Sequence, residues 1–261
     1  ARDRHATGKD DRIDARRIAG TVLSMDESRL RFPRHADGPR QGLRILVKAR
    51  ESMTREKTRT INALTALLRT HDLGMDARRK LSMAKIQTVA KWRIRNESVA
   101  LTEARREAIR LAKRVVELDA EITDYAMRIE VLVKDSPGAV LLGQPGIGPI
   151  SAAVFYLAWS HHGRVRSEAA FAKLAGVCSI PASSGNVVRF RLNRSGDRRL
   201  NSALYMVAIT RLSHHQRSQE YMAKRLGEGK TKKETIRCMK RHVARSVYRI
   251  LEATKPIGQA A

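Results

Sequence analysis

The chain has 261 residues and carries 52 Lys and Arg against 26 Asp and Glu, a formal charge of +26. That length supports one or two domains with a real core, and that charge selects a polyanion as partner, nucleic acid first. No apolar run reaches membrane-spanning length, no signal peptide is visible, and Cys178 and Cys238 lack the close pairing of a zinc site. Aromatic residues make up only 4%, so phosphate contact by Arg and Lys, with its steep salt dependence, is expected to outweigh base stacking.

In chain order, the first pattern is a short helix over roughly Asp10 to Leu23, closed by a loop with Pro33, Gly38 and Pro39. Within it Asp11 and Asp14 stand three apart, on one helical face, so both carboxylates can reach one hard cation such as Mg²⁺. The same pair also reads as an acidic first turn that complements the helix dipole. Apolar residues from Leu43 to about Arg69 recur near helical spacing, with Gly74 as a stop.

Residues 97–134 carry the cleanest period. Leu101, Ala104, Ala108, Leu111, Val115, Leu118, Ile122, Tyr125, Ile129 and Leu132 advance in steps of three and four, an a/d seam of a coiled coil. The seam closes either on the Leu43–Arg69 helix as an antiparallel hairpin or on a second chain; spacing leaves both open. Pro137-Gly138 ends this helix.

Pro145-Gly146-Ile147-Gly148-Pro149 then precedes the apolar run Ile150 to Trp159. Gly146 and Gly148 either expose backbone N–H groups to a phosphate, as helix-hairpin-helix modules do, or make a tight turn between buried helices. A short helix over Ala169 to Ala175 follows. Two extended segments, Val177 to Ile180 and Val187 to Leu192, flank the turn Ser183-Ser184-Gly185. Helices are expected over Asp197 to Leu212 and Lys232 to Leu251. The latter is amphipathic, with Lys240 and Arg241 on its polar face. Gly229-Lys230-Thr231 lacks the frame of a phosphate loop; Thr231 with Glu234 reads as a capping box instead.

A serine that attacks phosphorus needs its proton removed and its target charge neutralised. Arg189, Arg191, Arg194, Arg198 and Arg199 follow the Ser-Ser-Gly turn closely enough to serve the second need. His161 and His162 precede it by about twenty residues and are weak candidates for a base. Taken alone, Ser-Ser-Gly also reads as a polar turn.

The ordered set is specific where each piece is modest. Lys9-Asp10-Asp11-Arg12-Ile13-Asp14-Ala15 comes first, then Pro145-Gly146-Ile147-Gly148-Pro149 and Ala175-Gly176-Val177. Ser184-Gly185, Arg191-Leu192-Asn193-Arg194, Gly196-Asp197-Arg198-Arg199-Leu200-Asn201 and Glu228-Gly229-Lys230, with Glu234, Arg237-Cys238 and Lys240-Arg241, complete it. The set resembles the DEDD-motif transposases of bacterial insertion sequences, the bridge-RNA-guided serine recombinases related to the pilin-gene invertase.

That resemblance implies a mainly α chain in three parts: a remnant of an RNase H-like domain over 1–40, a coiled-coil hairpin over 41–136, and a mostly helical transposase domain with short strands over 137–255. It implies DNA as substrate, a structured guide RNA, a homodimer or tetramer through the coiled coil, and a cytoplasmic, nucleoid-associated place. Asp11 and Asp14 match the last two acids of the motif and would hold Mg²⁺. Ser184, which directly precedes the glycine, matches the nucleophile. The family's first Asp and its Glu lie upstream of the matched pair. The expectation is therefore an N-terminally truncated chain that binds nucleic acid and cuts it weakly or not at all alone. The alternative reading is a non-catalytic nucleic-acid-binding relic or regulator.

Overall fold

The computed structural model describes residues 11–27, 30, 33–34, 38–183, 187 and 189–254, and these are mainly helical. They fall into two units, one up to residue 34 and one from residue 35 onward. In the first unit, helix α1 spans Asp11–Leu23, with Asp11 and Asp14 in its first turn where they favour the positive end of the dipole.

The second unit is built on two long helices, α2 (Gly38–Thr70) and α4 (Val99–Lys134). They run antiparallel. Lys57 pairs with Asp119 and Glu56 with Arg114, while Gly42 lies against Leu132. The seam expected from sequence faces this interface: Ala104, Ala108, Leu111, Val115, Leu118 and Ile129 are buried. Of the two closures left open, the described chain takes the hairpin.

Two apolar clusters divide the hairpin. At the tip, Leu64 and Leu68 of α2 meet Ala108, Leu111 and Val115 of α4 together with Ile86 and Val89 of helix α3 (Met83–Ala90). The fully buried Arg105 guanidinium sits over the Trp92 ring at 5.0 Å and makes a two-pronged bond to Glu97 at 2.7 and 2.6 Å. Hydrogen bonding from Arg105 holds the Glu97 carboxyl below its ordinary range.

At the base, Leu43, Leu46, Val47, Ile129 and Val133 join the C-terminal body. A 3-10 turn over Pro137–Leu141 leads into helix α5 (Pro149–Trp159), buried on nearly every side, as its uniformly apolar sequence requires. It packs against α4, α2 and α7 (Arg198–His214) and less extensively against α9 (Lys232–Glu252), while α6 (Glu168–Leu174) packs on α9 and α8 (Gln216–Gly227) lies against α7 and α9. The body is tied by Arg245 and Arg249 of α9 to Glu168 at the start of α6, and by Trp159 Nε1 donating to Glu252 at 2.7 Å. Strands β1 (Ser179–Pro181) and β2 (Phe190–Leu192) form an antiparallel hairpin with Ile180 opposite Arg191. The capping box at α9 is present: Glu234 N donates to Thr231 Oγ1, and Thr231 N to Glu234 Oε2. Among the described residues no helix is long and apolar enough to cross a membrane.

Candidate nucleic-acid interface

Helix α6 ends with carbonyl groups that have no partner inside the helix. The segment from Asn193 to Asn201 answers three of them in succession. Asn193 Nδ2 donates to Lys173 O at 3.3 Å, Asp197 N to Leu174 O at 2.8 Å, and Asn201 Nδ2 to Ala175 O at 2.7 Å. Asp197 turns at the same time into the N-cap of α7, its Oδ1 accepting from Arg199 N and Leu200 N, both at 2.9 Å. Asn193 Oδ1 accepts from Ser195 N and Ser195 Oγ. The spacing of Asn193, Gly196, Asp197 and Asn201 is thus the spacing needed to dock one helix start on another helix end.

Two glycines make that approach possible. Gly176 follows α6 with φ +66°, and Gly196 lies against it with φ +131°. A Cβ on Gly196 would stand 2.8 Å from Gly176 N, 2.9 Å from Gly176 Cα and 3.0 Å from Leu174 O, all backbone atoms that cannot move aside. Gly196→Ala is expected to cost about 3 kcal/mol of stability, read as a lower urea midpoint, and to weaken binding to a DNA duplex. An unchanged midpoint would show that this junction is not tight.

The docked segment carries the arginines. Arg194 and Arg198 line a cavity of about 590 Å³ with Gly176, Ser195, Tyr205 and Lys240. Lys240 Nζ reaches in from α9 and donates to Asn201 Oδ1 at 2.8 Å. Burial, with Arg237 nearby, lowers the Lys240 pKa. Arg198 is shared with a second cavity of about 320 Å³, lined by Arg50, Glu51 and Arg55 of α2, Ile150 and Ser151 of α5, and Arg199 and Ser202 of α7. Arg199 is held there by Glu51, with contacts of 2.9 and 2.6 Å. Arg241 Nη1 donates to Cys178 Sγ at 2.9 Å. Arg199, Lys240 and Arg241 therefore build the frame, while Arg194 and Arg198 make no ion pair among the described residues.

The glycine turn packs as a tight turn between buried helices. Ile147 is buried, and Arg211 Nε donates to Pro145 O at 2.7 Å with its side chain against Gly146, as a turn between buried helices requires. Burial lowers the Arg211 pKa. Gly148 caps α5 without a side-chain bond, and Ile150 and Ser151 open on the second cavity.

On the β-hairpin, Arg189 and Arg191 are exposed. Ser183 Oγ accepts from Arg189 N at 3.1 Å and donates to Arg189 O at 3.4 Å, closing the hairpin. Ser184 lies outside the described residues, as do Gly185 and Asn186. His161 Nδ1 lies 3.1 Å from Ser160 Oγ, and His162 packs edge-on against Trp159. Asp11 and Asp14 belong to the separate unit that contains α1. As a pair of hard oxygen donors one turn apart they suit Mg²⁺, which commonly takes one or two carboxylates and completes its shell with phosphate oxygens and water. Among the described residues no group of three or more His, Cys, Asp or Glu gathers at one point.

The roles of Asn193 and Asn201 at this junction are not legible in the sequence. Their position around the start of a helix was the available signal. Glu51 gave none, because it meets Arg199 from 148 positions away.

Comparison with known proteins places these groups. Residues 138–223 match the model of the Transposase IS116/IS110/IS902 family. Residues 1–71 match a second transposase model, of the DEDD type of IS110 elements. The Insertion element IS900 uncharacterized 42 kDa protein of Mycobacterium paratuberculosis is 28% identical over 283 aligned positions, which cover 90% of this chain and 69% of that protein. The two matched stretches take in Asp11 and Asp14 in one and Ser184 and its arginines in the other. Lys240 and Arg241 lie beyond both matched regions, and residues 72–137 lie between them.

Proposed function

We propose that this chain is the DNA transposase of an insertion sequence, cutting and rejoining strands through a phosphoserine at Ser184. The observation that carries the reading is the cluster of Arg194 and Arg198, held on a rigid helix junction inside the region that matches a transposase family. A DNA phosphate in that cavity meets positive charge with no acid to cancel it, which is what a phosphoryl centre gaining negative charge requires. Arg189 and Arg191 extend the charge along the hairpin that leads into Ser184. Lys240 and Arg241 support it from α9, and the turn at Gly146 and Gly148 holds the neighbouring backbone.

The chemistry is a transesterification. Ser184 Oγ gives up its proton and bonds to phosphorus; the cut strand leaves as a hydroxyl, taking a proton. Attack by a second strand's hydroxyl reverses the step and frees the serine, so the energy of the broken bond is kept for rejoining. Asp11 and Asp14 would hold Mg²⁺, which lowers the charge on phosphate oxygens and eases deprotonation of a nucleophile.

The family reading assigns residues 1–40 to the end of an RNase H-like domain, 41–136 to a coiled-coil hairpin and 137–255 to the transposase domain. It adds a structured guide RNA, assembly of two or four copies through the long helices, and action at the bacterial nucleoid.

The test is covalent trapping. A duplex with a nick beside the cleavage point is incubated with the intact natural protein and Mg²⁺, then denatured. The expected product is a protein–DNA adduct whose digest carries a phosphoserine at residue 184. Retained DNA binding with no adduct would overturn the enzymatic reading in favour of a non-catalytic nucleic-acid-binding protein.

A further inference from the structure

Two cavities that touch α2 are joined by a single face of that helix. Arg50, Glu51, Thr54 and Arg55 line the one beside α7, whereas Thr58, Asn62, Thr65, Ala66 and Arg69 line another of about 630 Å³ at the hairpin tip. Steps of three and four connect them without a break, so they form one stripe along the helix. Glu51, already held by Arg199, is the stripe's sole acid. Between Arg55 and Arg69 the stripe's side chains are short, and the hydroxyls of Thr54, Thr58 and Thr65 donate back to carbonyls four residues earlier. The floor is therefore neutral and low.

The tip end is cationic. Arg69 is fixed by donating from Nε to Ala77 O at 2.8 Å and from Nη2 to Arg78 O at 3.2 Å, and Lys80 lines the same cavity. Residues 71–98 hold seven Lys and Arg against three acids. Two of those acids are engaged, Asp76 by Arg78 and Glu97 by the buried Arg105. Arg79, Lys80, Lys91 and Arg93 are exposed and make no ion pair among the described residues. The other long helix, α4, carries seven basic and seven acidic residues and is neutral. Helix α2 itself carries eight basic residues against two acids, with Arg59 exposed beside the middle of the stripe, so within the hairpin the positive charge lies on α2 and the tip rather than on α4.

We propose that this face of α2, from Thr54 to Arg69 with Lys80 and Arg79 at its end, is a track for the phosphate backbone of duplex DNA running out from the α7 cavity. A single strand would need stacking platforms, and the tip's Trp92 is covered by Arg105. A duplex needs a low floor flanked by cations, which is what the stripe supplies. From Thr54 to Arg69 the helix rises roughly 22 Å, about seven base-pair steps. The track therefore lies outside the stretch being cut and binds without regard to sequence. The inference rests on DNA being the substrate of the neighbouring cavity, but not on a phosphoserine.

The test measures affinity of the full chain for linear DNA duplexes of about 12 and about 30 base pairs, with cleavage blocked by omitting Mg²⁺. Asn62→Glu with Ala66→Glu places two acids on the exposed track. Affinity for the longer duplex is expected to fall about tenfold or more at ~0.1 M salt, with the shorter changed by less than about twofold. Ala63→Glu, on the opposite flank of α2, should leave both unchanged. Arg79→Ala with Lys80→Ala should reduce the slope of log affinity against log salt by about two for the longer duplex alone. The track is overturned if the acidic pair leaves long-duplex affinity intact or weakens both lengths alike. It is also overturned if an RNA duplex of the longer length loses affinity where DNA does not. Adduct formation on the short duplex with Mg²⁺ restored reads the phosphoserine separately, so either idea can fail without the other.

Discussion

Replacing Ser184 by alanine in the intact natural protein is expected to lower covalent adduct formation on the order of 10³-fold or more, to background. Affinity for the same duplex should stay within about twofold, because the charge that holds DNA comes from Arg194, Arg198 and their neighbours. Ser183→Ala is the sharper control. The Ser183 hydroxyl is engaged twice by the Arg189 backbone, as acceptor from N and donor to O, so it serves the hairpin. Its loss should weaken that turn by about 1 kcal/mol and leave adduct formation within a few-fold of normal. Gel separation of the adduct after denaturation reads both variants. A surviving adduct in Ser184→Ala, or its disappearance in Ser183→Ala alone, would move the nucleophile to the other serine.

That contrast depends on knowing which polar groups are already occupied, and occupancy is what sequence shows least. Ser183 and Ser184 are indistinguishable as neighbours in a turn. Arg199 looks as free as Arg198 until Glu51 arrives from the distant α2, and Arg241 looks free until it meets Cys178. Local signals fared better. The three-four spacing of α4 and the Thr231–Glu234 box each depend on residues within a turn or two, and both stand in the structure. Helix α3 spans only eight residues, too few turns for its apolar face to show as a period, and of α8 the sequence marks only the end, at Gly227. Within α3 only Ile86 and Val89 are buried, and α8 buries nothing. Their positions are set by the helices they lie against, α4 for the first and chiefly α7 for the second. Whether α4 would close on its own chain was likewise unreadable from spacing, because a heptad seam serves either partner equally. The closure is decided at the ends of α2, where Leu64 and Leu68 join one cluster and Leu43, Leu46 and Val47 join another.

The hairpin offers the second large effect. Leu118 is fully buried on the seam of α4, next to Asp119, which pairs with Lys57 of α2. Leu118→Asp removes an apolar side chain and buries a carboxylate without a partner, a cost on the order of 4 kcal/mol or more. A stability of roughly 5–15 kcal/mol is usual for a folded domain, so a large share of the fold is lost. The middle of the hairpin should separate first, because the tip and base clusters lie to either side of it. Thermal melting followed by helical circular dichroism is expected to shift downward by about 10 °C or more. Leu118→Met, similar in volume, should cost less than about 1.5 kcal/mol. The pair also separates folding from assembly. If the long helices pair only within one chain, Leu118→Asp lowers helicity at every protein concentration with no change in sedimenting mass. If they also join copies, mass falls together with helicity, and the melting point of the parent protein rises with concentration. Unchanged melting in Leu118→Asp would mean that this seam does not hold the hairpin closed, and that the two end clusters suffice without it.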